Sequence, residues 1–304
     1  MSPVGDFDPP AVVLRELVAR ALAEDFGSLG DLTSLATIPE DAVGVATFVA
    51  RRYGVLAGVA AATEVVQQVD RRLRLDWNAA DGDTIEADQP LATVSGNLRS
   101  ILAAERTALN VLQHASGVAT LTREYVQAVG GHAKVRDTRK TLPGLRAIEK
   151  AAVRAGGGFN HRECLRDAVL IKDNHLAFLD LTAAVERSKV RWPGRVIEVE
   201  CDTMAQVLEA VAAGADLILL DNMTPDGVRE AVAAVDGMVP LEVSGGITFE
   251  TIRDYAATGA DFISVGALTH SAPALDIALD IIPSNIATAS VATPNPAPRG
   301  ENEG

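Results

Sequence analysis

The sequence predicts an α/β fold whose larger part is an open (β/α) barrel of about six parallel strands. From residue 134 onward, strand-like apolar segments alternate with helix-like ones, and the intervals leave room for the crossover helices that parallel strands require. Helix boundaries are marked, since Thr224 and Pro225 are typical of a helix start and Gly214 and Gly259 of a helix end. Each strand-like segment also ends in polar residues or glycines. The six segments are KVRDT, AVLIKD, RVIEVE, DLILLD, PLEVSG and DFISVG, which begin near residues 134, 168, 195, 216, 240 and 261.

The first third of the chain follows other patterns. Apolar residues recur at helical spacing over residues 11–23 and predict a helix there. The runs VATFVA and RLRLDW alternate as strands do, and residues 81–96 indicate short strands joined by turns. A longer helix is expected over 100–128, interrupted at Gly117. A mixed α/β region is therefore expected to precede the barrel.

Composition limits the class of protein. A chain of 304 residues with 48% hydrophobic content can bury the core of one large or two medium domains. The N-terminus lacks the features of a signal peptide, and no segment approaches the roughly 20 apolar residues that span a bilayer. The two cysteines, Cys164 and Cys201, lack metal-ligand spacing and fit a reducing environment, with Cys201 a small buried residue. We therefore expect a globular protein of the cytoplasm with no membrane partner.

Residues 134–175 form a cationic segment in an acidic protein. They include ten Lys or Arg and five Asp or Glu, a net +5 in a chain that carries −14. Such a concentration of positive charge near strand ends predicts a pocket for a small polyanion. An overall pI near 4.8 argues against nucleic acid as a partner. Lys150, Arg154 and Arg166 are expected to form a solvated helix face.

The polar residues at the strand ends form the candidate site, because barrel enzymes place their active sites at the carboxyl ends of the strands. Two acidic residues on successive strands suit Mg²⁺, and two glycine-rich turns suit a phosphate. Several basic side chains offer charge-assisted hydrogen bonds to anions. The strand-end residues are Arg139, Lys140, Lys172, Asp173, Glu200, Asp221, Asn222, Ser244, Gly245, Gly246, Gly266 and Ala267.

Several long motifs together resemble the quinolinate phosphoribosyltransferase family, over residues from about Leu14 to Ile282. They are AERTALNVLQHASGVAT at 104–120, RDTRKTLPGLR at 136–146, GGGFNHR at 156–162, IKDNH at 171–175, IEVECD at 197–202, LLDNM at 219–223 and EVSGGI at 242–247. The resemblance implies an N-terminal α/β sandwich domain over 1–117, completed by a C-terminal helix over 272–283. It implies a barrel domain with the catalytic site over 118–271, and residues 284–304 are expected to be a disordered tail.

The resemblance also implies the activity. Phosphoribosyl pyrophosphate and quinolinate would react, with Mg²⁺, to give nicotinate mononucleotide, pyrophosphate and CO₂ in de novo NAD biosynthesis. The enzyme would be a homodimer with the site completed by the neighbouring subunit; a hexamer stays open.

Roles of individual residues follow from the same resemblance. Arg139, His161 and Arg162 would bind the two carboxylates of quinolinate, with Arg106 arriving from the neighbouring subunit. Lys140, Lys172, Glu200 and Asp221 would be catalytic, the lysines contacting the phosphoribosyl donor and the two acids facing its ribose and Mg²⁺. The remaining substrate-binding positions, most of them around the 5-phosphate, would be Thr138, Ser244, Gly245, Gly246, Val265, Gly266 and Ala267.

Other interpretations stay open at this point. A lysine at a strand end, Lys172 or Lys140, could instead form a Schiff base in an aldolase. A divergent or non-catalytic homologue is a further alternative. His175 is either a site residue or one that orients its neighbours, and His114 is favoured as a packed or interface histidine.

Overall fold

The structure is a computed structural model that describes residues 8–282. The first part of the chain forms a small α/β domain that leads into one long helix, α4. Its elements are α1 (Ala11–Phe26), α2 (Leu32–Thr37), β1 (Val43–Ala50), β2 (Gly54–Val55), α3 (Val59–Val69), β3 (Arg74–Trp77), β4 (Thr84–Ile85), β5 (Pro90–Asn97) and α4 (Leu98–Val129). The helix and strands expected before residue 100 are thus confirmed.

The second part of the chain alternates strands and helices as expected. Its elements are β6 (Lys134–Arg136), α5 (Arg146–Ala155), β7 (Val169–Ile171), α6 (Asp173–Leu176), α7 (Leu181–Arg191), β8 (Ile197–Cys201), α8 (Met204–Ala213), β9 (Leu217–Asp221), α9 (Pro225–Val235), β10 (Leu241–Ser244), α10 (Ile252–Ala256), β11 (Phe262–Ser264), α11 (Ala267–His270) and β12 (Ile277–Ile282). All six predicted barrel strands are present.

Six parallel strands form the barrel sheet in the order β6-β11-β10-β9-β8-β7. The first two strands in sequence lie at opposite edges, so the barrel is open between β6 and β7. Beyond β6, Phe159 adds one parallel bridge to Arg136. The side chains of Val135, Val199 and Leu220 lie on the sheet face that belongs to the hydrophobic core and are at most 2% exposed. The fold class predicted from the sequence is confirmed.

The C-terminal segment corrects the sequence prediction. Residues 272–283 were expected to form a helix, but Ile277–Ile282 form strand β12, which pairs antiparallel with β1 from Ala50↔Ile277 to Val45↔Ile282. Pro273 disfavours a helix at this point, and the β-branched isoleucines favour a strand. The pairing also satisfies the outer edge of β1, so the chain returns to the N-terminal sheet, whose order is β12-β1-β5-β3. The tail over 284–304 lies outside the described residues.

Gly117 does not interrupt the long helix. The structure shows α4 as one continuous helix of 32 residues, which also spans the domain boundary expected at residue 117. A Cβ at Gly117 would overlap the carbonyl oxygen of Pro273, so glycine is needed here to let the two backbones approach each other. Leu275 donates its backbone N–H to the carbonyl of Gln113 at 2.9 Å and holds the C-terminal segment along α4.

No helix within residues 8–282 is long and apolar enough to cross a membrane.

The N-terminal domain contains a half-buried acid, Asp81, whose charge should affect stability. Asp81 accepts the backbone N–H of Val59 at 3.0 Å at the start of α3, and burial raises the pKa of Asp81 to about 6. An acid whose folded-state pKa lies above its unfolded value stabilises the fold least once it is ionised, so stability is lost as pH rises from 4 through 6. Asp81→Asn keeps an acceptor but has no charge to desolvate.

We therefore expect Asp81→Asn to become more stable relative to the wild type as the pH rises from 4 to 7.5. The difference between the two free energies of unfolding should change by up to about 3 kcal/mol in favour of the variant. Urea unfolding of both proteins at the two pH values measures this change. Asp83→Asn, at an exposed acid in the same turn, is the matched control and should show a much smaller change. Equal pH dependence in wild type and Asp81→Asn would contradict the prediction.

Candidate active site

The carboxyl edge of the barrel sheet brings most of the predicted residues together. The strand register aligns Glu200 with Leu219 and Ser244 with Asp221. Because side chains alternate between faces along a strand, Glu200, Asp221 and Ser244 share the face opposite the hydrophobic core. The residue after β7, Lys172, reaches the same edge and forms an ion pair with Glu200. The predicted acids and one predicted lysine thus occupy a single edge.

Lys172 and Glu200 differ in their exposure. The side chain of Lys172 is 42% exposed, whereas that of Glu200 is only 10% exposed, so the lysine is the more accessible group of the pair. The backbone N–H of Lys172 donates to Nδ1 of His175 at 2.9 Å, in a capping interaction at the start of α6. This contact supports the orienting role for His175, because it holds the segment that carries Lys172; a direct role in the site stays a prediction.

The carboxylate of Asp221 interacts electrostatically with Lys172 and Lys140. Burial raises the pKa of Asp221, while the charges of Lys172 and Lys140 lower it. Its carboxylate accepts a hydrogen bond from the side chain of Asn222 at 2.6 Å. Oxygen donors with this charge environment are suited to a hard divalent cation such as Mg²⁺.

The two glycine turns lie beside this edge. Gly245 has φ of +95°, and a Cβ there would overlap the side-chain oxygen of Asn222, so glycine is required on both counts. At the second turn, a Cβ on Gly266 would come within 3.2 Å of Cδ of Lys140, which places the lysine stem against the turn. Thr269 donates to the carbonyl of Lys140 at 2.9 Å and holds it there.

Three further predicted positions lie around these turns. Val265 is 1% exposed and donates its backbone N–H to the carbonyl of Arg136 at 2.9 Å, so its side chain is part of the core. Thr138 accepts the backbone N–H of Lys140 at 3.0 Å and shapes the loop. Ala267 begins α11. Whether these positions touch a substrate stays a prediction.

Arg139 and Arg162 lie close enough for their charges to interact. Burial lowers the pKa of Arg162, and the nearby charge of Arg139 lowers it further. Arg162 donates to the carbonyl of Ala168 at 2.9 Å. Nε of Arg139 is buried and has no hydrogen-bond acceptor among residues 8–282. A buried donor without an acceptor beside a second guanidinium is suited to binding a carboxylate.

His161 is fully engaged inside the protein. Its backbone N–H donates to Asp137 at 2.8 Å, and its carbonyl accepts from Lys150 at 3.0 Å. Nδ1 accepts the backbone N–H of Arg162 at 2.8 Å, so in the neutral ring the proton is on Nε2, which lies 3.0 Å from Glu198. The predicted contact of His161 with a substrate carboxylate stays a prediction, while its contacts here fix Arg162.

A layer of buried polar residues lies under the arginines, and the sequence analysis missed it. Glu198 and Glu242 are at most 1% exposed. Glu242 contacts Arg136, Ser264 and His161, and burial together with the charge of Glu198 raises the pKa of Glu242. His161, Glu198 and Glu242 could geometrically surround a metal ion, but Arg136 already pairs with Glu242. The sequence did contain a signal for this layer, because Glu198 and Glu242 interrupt otherwise apolar strands.

Lys150 corrects the expectation of a solvated helix face. It is fully buried and pairs with the equally buried Asp137 at 2.5 Å. The small residues Ala151 and Ala152 that follow it in α5 make room for this close packing against the barrel. Arg154 is half-buried and donates to Asn160 at 2.5 Å, so it too is engaged, whereas Arg166 is exposed as expected. Cys201 is fully buried, as predicted, and burial raises its pKa to about 12.

Two residues on α4 stand apart from the cluster. The side chain of Arg106 is exposed and makes no hydrogen bond or ion pair with any residue of the described part of its chain. His114 packs against α5, with Nε2 2.9 Å from Glu149, a fully buried acid that also accepts the backbone N–H of Leu142 at 3.2 Å. The packed role favoured for His114 is what the structure shows.

Both parts of the chain are similar to known proteins. The domain family described as quinolinate phosphoribosyl transferase, N-terminal domain, matches residues 31–116, and the corresponding C-terminal domain matches residues 118–280. A nicotinate-nucleotide pyrophosphorylase [carboxylating] of Mycobacterium leprae is 44% identical over 274 residues, covering 88% of this chain and 96% of the relative. A probable enzyme of the same description from Bacillus subtilis is 41% identical, with coverage of 90% and 94%.

Solved structures agree as well. The structure of the nicotinate-nucleotide pyrophosphorylase from Francisella tularensis superposes with a TM-score of 0.86 at 40% identity, over 90% of this chain and 97% of that one. Both domains are matched, in order, over nearly the whole described chain. The protein therefore belongs to the quinolinate phosphoribosyltransferase family.

Proposed function

We propose that this enzyme transfers the phosphoribosyl group of 5-phosphoribosyl 1-pyrophosphate to quinolinate with loss of CO₂, giving nicotinate mononucleotide and pyrophosphate in de novo NAD biosynthesis. One observation carries the proposal: the adjacent Arg139 and Arg162, with a buried unpartnered Nε, lie next to a strand edge that presents lysines, acids and glycine turns. A dicarboxylate and a phosphorylated sugar need these two kinds of site side by side.

The chemistry divides among the residues of the edge. As the bond between ribose C1 and pyrophosphate breaks, its electron pair leaves with pyrophosphate, and Lys140 and Lys172 stabilise that growing negative charge. The sugar becomes cationic, and the carboxylate of Glu200 stabilises it. The pyridine nitrogen then bonds to C1 through its lone pair and becomes positive. The carbon–carbon bond to the adjacent carboxylate breaks, its electrons are accepted by the ring, and a proton replaces the released CO₂.

We also propose Mg²⁺ as the cofactor. Glu200 and Asp221 would hold it together with the pyrophosphate, and it would neutralise charge on the leaving group. The donor set supports this proposal, because both groups are carboxylates on one face of neighbouring strands and burial raises the pKa of Asp221. A divalent cation offsets that cost of burying charge.

The proposal is tested by incubating the enzyme with quinolinate, phosphoribosyl pyrophosphate and Mg²⁺ and following CO₂ and nicotinate mononucleotide. We expect equal amounts of both products, and no reaction with nicotinate as the acceptor, since it lacks the second carboxylate. Formation of nicotinate mononucleotide from nicotinate at a similar rate would contradict the assigned acceptor. The aldolase alternative at Lys172 or Lys140 has lost support, because the chain matches both domains of the quinolinate phosphoribosyltransferase family.

We further propose a homodimer in which each subunit supplies Arg106 to the site of its neighbour. The exposure of Arg106 and its lack of a partner within the described part of its own chain support this. Free Cys164 and Cys201 support a reducing compartment, and we propose the cytoplasm.

Mixing two inactive variants tests the shared site. In an Arg106→Ala/Lys140→Ala heterodimer, one site carries both defects and the other carries neither. If subunits exchange at random in an equal mixture, activity should recover to about a quarter of the wild-type value. Turnover of the mixture is measured after refolding the two variants together, and each variant refolded alone is the control. No recovery in a mixture with demonstrated heterodimers would contradict the proposal.

A further inference from the structure

Burying the charges of Asp137 and Lys150 costs desolvation free energy, which suggests that the pair has a role besides packing. Both side chains are fully buried, and their charged atoms lie 2.5 Å apart. Burial raises the pKa of Asp137 and lowers that of Lys150, while each charge opposes the shift of the other. Because desolvation of a buried ion pair offsets most of its attraction, such a pair is weak evidence for stability and can serve to fix a geometry.

The pair is joined to a single neighbouring segment, residues 159–161. Asp137 accepts the backbone N–H of His161 at 2.8 Å and the side-chain amide of Asn160 at 2.5 Å. Lys150 donates to the carbonyl of His161 at 3.0 Å, and its own carbonyl accepts from Asn160 at 2.9 Å. The backbone N–H of Asp137 donates to the carbonyl of Phe159 at 3.1 Å. Most of the polar contacts of the pair therefore connect it to this segment, and Ser264 adds a contact to the carbonyl of Asp137 at 3.4 Å.

Both segments joined by this network lead to an arginine that is predicted to bind a carboxylate. Arg139 comes two residues after Asp137, and Arg162 comes one residue after His161. The two guanidinium groups repel each other, since the charge of Arg139 lowers the pKa of Arg162. Two like charges kept close in the absence of a ligand need a rigid frame on both sides.

We infer that the Asp137–Lys150 ion pair is a positioning device that sets the spacing of Arg139 and Arg162 and thereby selects an acceptor with two adjacent carboxylates. The inference rests on the proposed function and deepens it. Lys140 has two contacts of its own, with Thr269 at its carbonyl and Thr138 at its N–H, so the phosphoribosyl half of the site should depend less on the pair than the arginines do. Loss of the pair should therefore weaken acceptor binding selectively.

Lys150→Met tests the inference, because methionine has similar length and no charge. We expect the Kd and KM for quinolinate to rise about 10- to 100-fold, as for the loss of one well-placed charge-assisted hydrogen bond. The KM for phosphoribosyl pyrophosphate and kcat at saturating quinolinate should stay within about threefold, a difference well below one such hydrogen bond. Calorimetry should also show a smaller preference for quinolinate over nicotinate. Wild-type quinolinate affinity, or an equal loss of affinity for both substrates, would overturn the inference.

Two further variants separate positioning from general stability. Val185→Ala shortens a fully buried side chain in α7, outside the two segments that carry Arg139 and Arg162. It should lower the thermal midpoint without changing the KM for quinolinate. Asn160→Ala leaves both charges in place and removes the bridge to the segment, so we expect a rise of about 3- to 10-fold in the same KM. If Lys150→Met yields no folded protein, Asn160→Ala decides alone, and an unchanged KM there refutes the inference.

Failure of the proposed function is distinguishable from failure of this inference. If the wild type binds quinolinate in preference to nicotinate but never converts it, and Lys150→Met abolishes that preference, the function is wrong and the positioning role stands. If the wild type converts quinolinate while Lys150→Met retains its KM, the positioning role is wrong and the function stands.

Discussion

Lys140→Ala is expected to lower turnover by about two to three orders of magnitude while the protein stays folded. The lysine is exposed, its stem lies against Gly266, and its charge reaches Asp221. Its ammonium group would stabilise charge that develops on pyrophosphate only as the bond to ribose breaks, and removing one such preorganised donor costs about 3 to 4 kcal/mol. The loss should therefore appear in kcat more than in KM. Single-turnover formation of nicotinate mononucleotide measures it.

Lys189→Ala is the matched control for this substitution. Its ammonium group donates to the carbonyl of Ala213 at 2.8 Å. Lys189 lies near the C-terminal end of α7, which leads to the start of β8 and therefore to the edge of the barrel opposite the site. Turnover should stay within about twofold, and both variants should keep the thermal midpoint within a few degrees, as for most surface changes. Near-normal turnover of a folded Lys140→Ala enzyme would refute the proposed mechanism.

Glu200→Gln is expected to lower turnover by about two to three orders of magnitude. The substitution keeps the shape of a side chain that is 10% exposed but removes the charge that pairs with Lys172. The cationic sugar loses its stabilising carboxylate, the proposed Mg²⁺ loses one ligand, and Lys172 loses the partner that orients it. We expect kcat to fall and the Mg²⁺ concentration needed for half-maximal activity to rise, both measured by CO₂ release.

Glu230→Gln is the control, since Glu230 is exposed on α9 and its substitution should change neither quantity. If Glu200→Gln turns over normally at saturating Mg²⁺, then Glu200 is not the stabilising carboxylate. If only the Mg²⁺ dependence changes, the metal proposal survives and the role in sugar stabilisation fails.

The barrel and the cluster of polar residues at its carboxyl edge could be predicted from the sequence because both depend on local patterns. Short apolar runs separated by helical intervals predict buried parallel strands, and polar residues at their ends predict the catalytic edge. Lys172, Glu200, Asp221 and Ser244 lie together as expected, since consecutive parallel strands end at one edge. The position of Arg106 could come only from the family resemblance.

Tertiary contacts decided the points on which the sequence was silent or misleading. The C-terminal segment is a strand because β1 offers an open edge more than 200 residues earlier in the chain, and no local pattern reports that edge. Gly117 lies in a continuous helix because another backbone passes beside it, which its own neighbours in sequence do not show.

The cationic segment over 134–175 shows the same division. Its charge alone predicted a pocket for a small anion at the carboxyl edge of the barrel. Which charges face that anion was decided by burial: Arg139 and Arg162 lie at the site, while Lys150 lies beneath it against Asp137. A basic residue looks the same in sequence whether its charge meets solvent, a substrate or a buried acid, and only its three-dimensional partners distinguish these roles.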